Sequence, residues 1–246
     1  MLKLAGVIYG LIAYIVFLAS FLYAVGFVGN WVVPKSIDST EVAGPMASLL
    51  VNSLLLGLFA FQHSVMARPG FKVLWTKIVS PSMERSTYVL ISSLLLFLLF
   101  WQWQPMTAVI WDIRAGPVRT VLQGLHWGGW LVVLLATFMI SHWDLFGLRQ
   151  VFLNLQGKAH SPPEFRTPAL YGLVRHPIML GFIIAFWATP TMSLGHLVFA
   201  VATTGYILIA LQLEERDLID AIGDAYVKYR KRVPILLPWP RPNRVK

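Results

Sequence analysis

Three groups of residues in this chain carry side chains suited to chemistry. The first is Tyr171-Gly-Leu-Val174-Arg175-His176-Pro177, which opens an uncharged stretch. Proline at a first helical position has φ already set for the turn and lacks an N–H that would go unpaired there, so a helix is expected to start at Pro177. Such an end presents free N–H groups and the positive end of the helix dipole. With Arg175 beside it, it suits a carboxylate or a phosphate. The second group, Glu214 and Glu215, closes the same uncharged stretch and is followed by Gly223-x-x-Tyr226-x-x-Tyr229. Acids there can accept hydrogen bonds from a hydroxyl or amino group and favour a nearby cation. The third group is His63, His142 and Asp144, each at the end of an apolar run. An imidazole oriented by a carboxylate suits proton transfer near neutral pH. His126 and His196 lie toward the opposite ends of their runs and are weaker candidates. Each group by itself is also what the end of a spanning helix carries: an anchoring arginine, a solvated acid pair, an interfacial histidine.

The elements that must position these residues follow from composition. The chain has 246 residues, is 57% hydrophobic and 13% charged, and has a mean hydropathy of +0.67, values that imply lipid as the solvent. Its apolar residues come in long uncharged runs, which indicates spanning helices and an all-α, multi-pass bundle in place of a barrel. Residues 4–28, 46–63, 87–104 and 120–141 are each near the length that crosses about 30 Å of hydrocarbon. The uncharged stretch 177–213 is too short for two such spans and too long for one, with Thr189, Pro190, Thr191, Ser193 and Gly195 at its middle. It is expected to form a helical hairpin of two short helices. The two helices of a hairpin begin and end on one side, so Glu214 and Glu215 should return close to Arg175 and His176. Residues 144–155 have the apolar spacing of a helix lying in the membrane interface, and 214–232 that of a soluble helix that continues out of the hairpin and ends before Pro234. No internal repeat is present. The chain reads as a single domain, 1–246, with a four-span part, 1–143, and a ligand-binding part, 144–246.

A net charge of +9 is distributed as membrane topology, not as a nucleic-acid surface. With the N-terminus inside, Lys3, Arg68, Lys72, Lys77, Arg85, Arg149, Lys158, Arg166, Arg175 and the eight cationic residues from Arg216 onward fall on the inner side. Only Lys35, Arg114 and Arg119 fall outside, so both termini are expected in the cytoplasm. The apolar stretch up to Val28 is too long for a signal-peptide core and reads as a retained first span. The absence of cysteine excludes disulfides, thiolate metal sites and a cysteine nucleophile.

In order and spacing, Tyr171-x-x-x-Arg-His-Pro, the hairpin, Glu-Glu and Gly-x-x-Tyr-x-x-Tyr resemble the isoprenylcysteine carboxyl methyltransferase superfamily over roughly the last third of the chain. The resemblance implies a pocket for S-adenosylmethionine formed by Tyr171, Val174, Arg175, His176, Glu214, Glu215 and Tyr229, with no metal. Met179 stands where that superfamily often has tyrosine, which leaves that residue's contribution without a counterpart. Further motifs narrow the match: Gln62-His63-Ser-Val-Met-Ala-Arg68, Glu84-Arg85-Ser-Thr-Tyr88, Phe100-Trp-Gln-Trp103, Asp144-Leu-Phe-Gly-Leu-Arg149-Gln150 and Gly181-Phe-Ile-Ile-Ala-Phe-Trp-Ala-Thr-Pro190 look like the bacterial methanethiol S-methyltransferases. That resemblance implies conversion of methanethiol to dimethyl sulfide. Such a reaction needs a group to take the thiol proton, and His63, His142 and Asp144, at inner span ends, are the candidates; the membrane is expected to be the bacterial inner membrane. The lipid bilayer and a small thiol are the implied partners, and neither nucleic acid nor an obligate protein partner is expected. Two other readings accompany it: methylation of a prenylcysteine carboxylate or a phospholipid amine, and a non-catalytic membrane protein of the NnrU type.

Overall fold

The computed structural model describes residues 2–40, 43–161 and 163–238. In chain order the helices are α1 (Leu2–Gly29), α2 (Pro45–Ala67), α3 (Pro69–Trp75), α4 (Glu84–Gln102), α5 (Pro117–Ile140), α6 (His142–Leu145), α7 (Leu148–Leu155), α8 (Leu170–Leu173), α9 (Pro177–Trp187), α10 (Leu194–Ile222) and α11 (Asp224–Arg232). Two short strands, β1 (Val109–Asp112) and β2 (Thr191–Ser193), pair in a ribbon that the sequence reading did not anticipate. The protein is an all-α, multi-pass membrane protein: α1, α2, α4, α5 and α10 are each long and apolar enough to cross a bilayer. The first four occupy the stretches read as spans.

The chain divides into two compact units, each drawn from separated stretches. Unit 1 comprises Met1–Trp111, His142–Pro162 and Met192–Phe199; unit 2 comprises Asp112–Ser141, Pro163–Thr191 and Ala200–Lys246. In unit 1, α4 packs on both α1 and α2, and α7 lies along α1. Met66, Tyr88, Val89 and Phe146 form a core there, with Phe17 stacked on Phe146 at a ring separation of 3.8 Å. Where α4 ends, the buried Asn52 of α2 pairs with the backbone of Gln104 in both directions, donating to its carbonyl at 2.7 Å and accepting from its N–H at 2.8 Å. A non-helical peptide next to lipid is thereby satisfied inside the protein.

In unit 2, α5 and α9 meet backbone to backbone. A Cβ at Gly129 would lie 2.6 Å from the Ala185 nitrogen, and one at Gly181 would lie 2.7 Å from the Gly129 oxygen. Small residues permit this approach, and in lipid, where apolar burial drives little, close van der Waals contact is the main reward for helix association. Ile207 and Leu211 of α10 pack with Leu236 and with Met179, Phe182 and Ile183 of α9.

Three expectations about secondary structure change. The hairpin is asymmetric: α9 has 11 residues, but α10 runs for 29, through Glu214 and Glu215, because its charged C-terminal part continues the helix without a break. The soluble helix expected over 214–232 is therefore two pieces, separated at Gly223, whose φ of 70° ends α10 and turns the chain into α11. The interfacial helix expected over 144–155 is also two, α6 and α7. Gly147, at φ 87°, lies between them against Ser86, and a Cβ there would stand 2.5 Å from the Ser86 hydroxyl.

Candidate active site

Within unit 2 the Arg-His-Pro and Glu-Glu groups do come together. Arg175 and His176 precede α9, with Pro177 in its first turn, while Glu214 and Glu215 lie in the last third of α10. Arg175 Nε donates to Glu215 Oε1 at 2.5 Å, and its Nη1 donates to the carbonyls of Arg230 and Val233 at 3.1 and 2.6 Å. The Arg175 and Glu215 side chains are only 4% and 6% exposed. Three more groups surround the same carboxylate: Arg230 Nε at 3.2 Å from Oε2, His176 Nε2 at 3.3 Å from Oε1, and the Tyr226 hydroxyl donating at 3.4 Å. Backbone pairs from Arg175 and His176 to the carbonyls of Pro234 and Ile235 tie the chain after α11 to the same point.

The sequence reading treated Arg175 as a donor for an incoming anion, but in this structure its guanidinium is engaged by Glu215 and the C-terminal carbonyls. Glu214 differs. Its side chain is 45% exposed, with one oxygen 3.8 Å from His176 Nδ1. Tyr171, Val174 and Tyr229 are buried beside the knot: the Tyr229 hydroxyl donates to the Tyr171 carbonyl at 2.6 Å, and the Tyr171 hydroxyl donates to the Ala136 carbonyl at 3.3 Å. Burial pushes all three phenols of this region upward, Tyr229 to about 12 and Tyr171 and Tyr226 higher, so they are neutral donors at physiological pH. The exposed Glu214 carboxylate, the adjacent imidazole and the free N–H groups of the first turn of α9 make a polar set that fits a zwitterionic, cationic ligand of the S-adenosylmethionine kind.

His63, His142 and Asp144 all lie in unit 1. His63 is held on α2 by the Tyr88 hydroxyl, 2.8 Å from Nε2, with Ser92 at 3.3 Å and Phe59 stacked on the ring. His142 opens α6, with its Nε2 2.8 Å from the Tyr14 hydroxyl and its ring edge-on to Phe146. Tyr88 and Phe146 belong to one core cluster, so the two histidines border the same packed group. Burial lowers the His142 pKa, which keeps its imidazole neutral at neutral pH. Asp144 is 7% exposed, and its carboxylate partner is not His142 but His160, whose Nε2 lies 2.7 Å from Oδ1; Arg149 Nη1 is 3.4 Å from Oδ2. His160 was missed in the sequence because it sits in a connection with no periodicity, 16 residues away. Of the weaker candidates, His126 accepts from Trp130 Nε1 at 3.2 Å and turns Nδ1 to the Ala185 carbonyl at 2.8 Å, which makes it a brace between α5 and α9. His196 is fully buried, its backbone N–H capped by the Ser193 hydroxyl.

The chain is 57% identical over 234 residues to the methanethiol S-methyltransferase of Mycobacterium tuberculosis, covering 95% of this chain and 96% of that protein. It is 50% identical to the methanethiol S-methyltransferase of Pseudomonas deceptionensis, over 98% of this chain and 92% of that one. The chain belongs to the methanethiol S-methyltransferase family. It is thus a methyltransferase, and the resemblance read from Arg-His-Pro, Glu-Glu and the flanking motifs holds along nearly the whole chain. Nurim of Mus musculus is a more distant relative, 31% identical over 70% of this chain and 69% of its own length. No protein-family model and no solved structure matches the chain.

Proposed function

We propose that the protein methylates methanethiol to dimethyl sulfide with S-adenosylmethionine as donor, and that it does so in the bacterial inner membrane with both termini and the cofactor site facing the cytoplasm. The observation that carries the reading is identity of 57% to a methanethiol S-methyltransferase over 95% of the chain. Orientation rests on the inner-side excess of Lys and Arg.

S-adenosylmethionine would supply an electrophilic methyl group on a sulfonium: a thiolate attacks the methyl carbon in line, the new S–C bond forms as the sulfonium S–C bond breaks, and S-adenosylhomocysteine leaves with the electron pair. Tyr171, Val174, Arg175, His176, Glu214, Glu215 and Tyr229 form the binding set. In that set Glu214 accepts hydrogen bonds and attracts positive charge, His176 and the first turn of α9 meet a carboxylate, and the Arg175–Glu215 knot holds the wall behind them. Val174 and the neutral phenols exclude water, which strengthens these electrostatic contacts. A small alkyl thiol titrates above the roughly 8.5 of cysteine, so a base is needed near neutrality. His142, kept neutral by burial, accepts the thiol proton at its imidazole and later releases it to water; His63 and Asp144 are the further members of the proton-handling set.

Calorimetry of S-adenosylmethionine binding to the purified full chain, followed by a headspace assay for dimethyl sulfide, tests the proposal. Binding with methanethiol-dependent product is the expected result. Binding with no product from methanethiol would assign a different acceptor, and no binding would remove the cofactor set.

A further inference from the structure

Unit 1 carries a concave feature lined by none of the candidate site residues above. Where α1 and α4 approach their C-terminal ends, Tyr23, Phe97, Leu94 and Trp101 line an apolar groove of about 470 Å³ with Lys35 at its rim. That volume lies in the range of ligand sites. The floor is built, not incidental. Tyr23 stacks on Phe100 at 5.2 Å and 14°, Phe97 meets Tyr23 edge-on at 6.1 Å, and the Tyr23 hydroxyl donates to the Lys35 carbonyl at 3.0 Å. Trp101 is 70% exposed at the mouth.

Lys35 Nζ donates to the Trp101 carbonyl at 2.6 Å, which satisfies one of the orphan acceptors at the end of α4 and places a cation at the negative end of its dipole. An ammonium has three N–H donors, and the other two have no partner among the described residues. The surroundings are apolar enough that partial burial lowers the Lys35 pKa, a cost that a neighbouring anion offsets. Both helices are long and apolar enough to cross a bilayer, and Lys35 and Trp101 stand at or beyond their C-terminal ends, where a spanning helix leaves hydrocarbon for headgroups.

We propose that this groove is a binding site for one anionic phospholipid, with its phosphate on Lys35 and an acyl chain lying against Tyr23, Leu94, Phe97 and Trp101. Charge complementarity selects the occupant: a neutral lipid fills the apolar floor equally well but leaves the ammonium without a counter-charge. The exposed indole and the cation on one rim suit an amphiphile with its charged end at the interface.

Tryptophan quenching by brominated-chain lipids reads the site directly in the purified full chain in detergent micelles. Dibromo-phosphatidylglycerol should quench at a lower mole fraction than dibromo-phosphatidylcholine, and the component lost in Trp101→Phe isolates the groove from the other tryptophans. Lys35→Gln should weaken the phosphatidylglycerol response about fivefold while sparing the phosphatidylcholine one, and Lys35→Arg should restore it. Equal responses to the two lipids, or a phosphatidylglycerol preference that survives Lys35→Gln, would overturn the proposal. Displacement of the lipid by millimolar inorganic phosphate would also overturn it, since the site would then be an anion site without a lipid.

Discussion

Two charged clusters of this protein, one in each unit, are built on opposite plans. In unit 2, Arg175 and Glu215 are nearly sealed from solvent: Glu215 is met by Arg175, Arg230, His176 and Tyr226, and Arg175 also donates to the carbonyls of Arg230 and Val233. In unit 1, Asp144 is buried but reaches outward to His160 and Arg149, both partly exposed, while His142, two residues earlier, pairs inward with Tyr14. A sealed ion pair is costly to desolvate and contributes shape more than stability, whereas an open one can exchange partners and protons. The difference teaches that a charged motif is not by itself a ligand-binding group. In the proposed function Arg175 builds the wall, and the half-exposed Glu214, next in chain to its partner, is the carboxylate available to a ligand.

The largest effect should come from the open cluster. Replacing His142 by Ala should lower turnover about a hundredfold to ten-thousandfold with S-adenosylmethionine affinity unchanged, and the deficit should shrink as pH rises and free thiolate accumulates. Because burial lowers the His142 pKa, the acid limb of the wild-type kcat/KM profile should fall below the ordinary imidazole value of about 6.5. A near-normal rate for the variant across that range would transfer the proton to another group, with Asp144 and His160 next to be tested.

Glu215→Ala should strike the fold instead. It strands Arg175 in a buried position, a loss of about 3–5 kcal/mol, read as a drop in thermal unfolding temperature of the detergent-solubilised protein. Glu214→Gln sharpens the contrast: its exposed side chain predicts an unchanged unfolding temperature with cofactor affinity about tenfold to a hundredfold weaker. If the two variants behaved alike, the division between wall and ligand-facing group would be wrong.

The smallest effect concerns Tyr229. Its phenol is raised from 10.0 to about 12, so folding favours the neutral form. The resulting stability is fully present below pH 10 and is lost as pH rises through about 12. Tyr229→Phe should cost about 1 kcal/mol at neutral pH through the lost bond to the Tyr171 carbonyl and should flatten the alkaline limb of the stability curve.

The spanning helices were legible because long uncharged runs have one physical solution in lipid, and the meeting of Arg175 with Glu215 followed from hairpin geometry alone. The continuation of α10 into its charged turns was legible too, but the inequality of the hairpin's two helices was not, because the turn residues between 188 and 195 do not fix where each helix begins and ends. Nor were the breaks at Gly147 and Gly223, since a left-handed glycine looks in sequence like any other. The internal use of Arg175 depends on carbonyls of residues 230 and 233, and backbone acceptors leave no trace in side-chain type. The pairing of Asp144 with His160 crosses a connection whose path only the fold determines.

The glycine crossing in unit 2 has a mechanical consequence. At about 1.5 Å per residue, α5 is about 36 Å long and α9 about 16 Å, so one overspans the hydrocarbon and the other covers about half of it. A helix longer than its bilayer tilts. Because Gly129 and Gly181 clamp the two backbones together, tilting α5 must swing α9 with it and move His176 at its end. Bilayer thickness thus becomes an input to the geometry of the binding set, and turnover in vesicles should vary with acyl-chain length even when every side chain is unchanged.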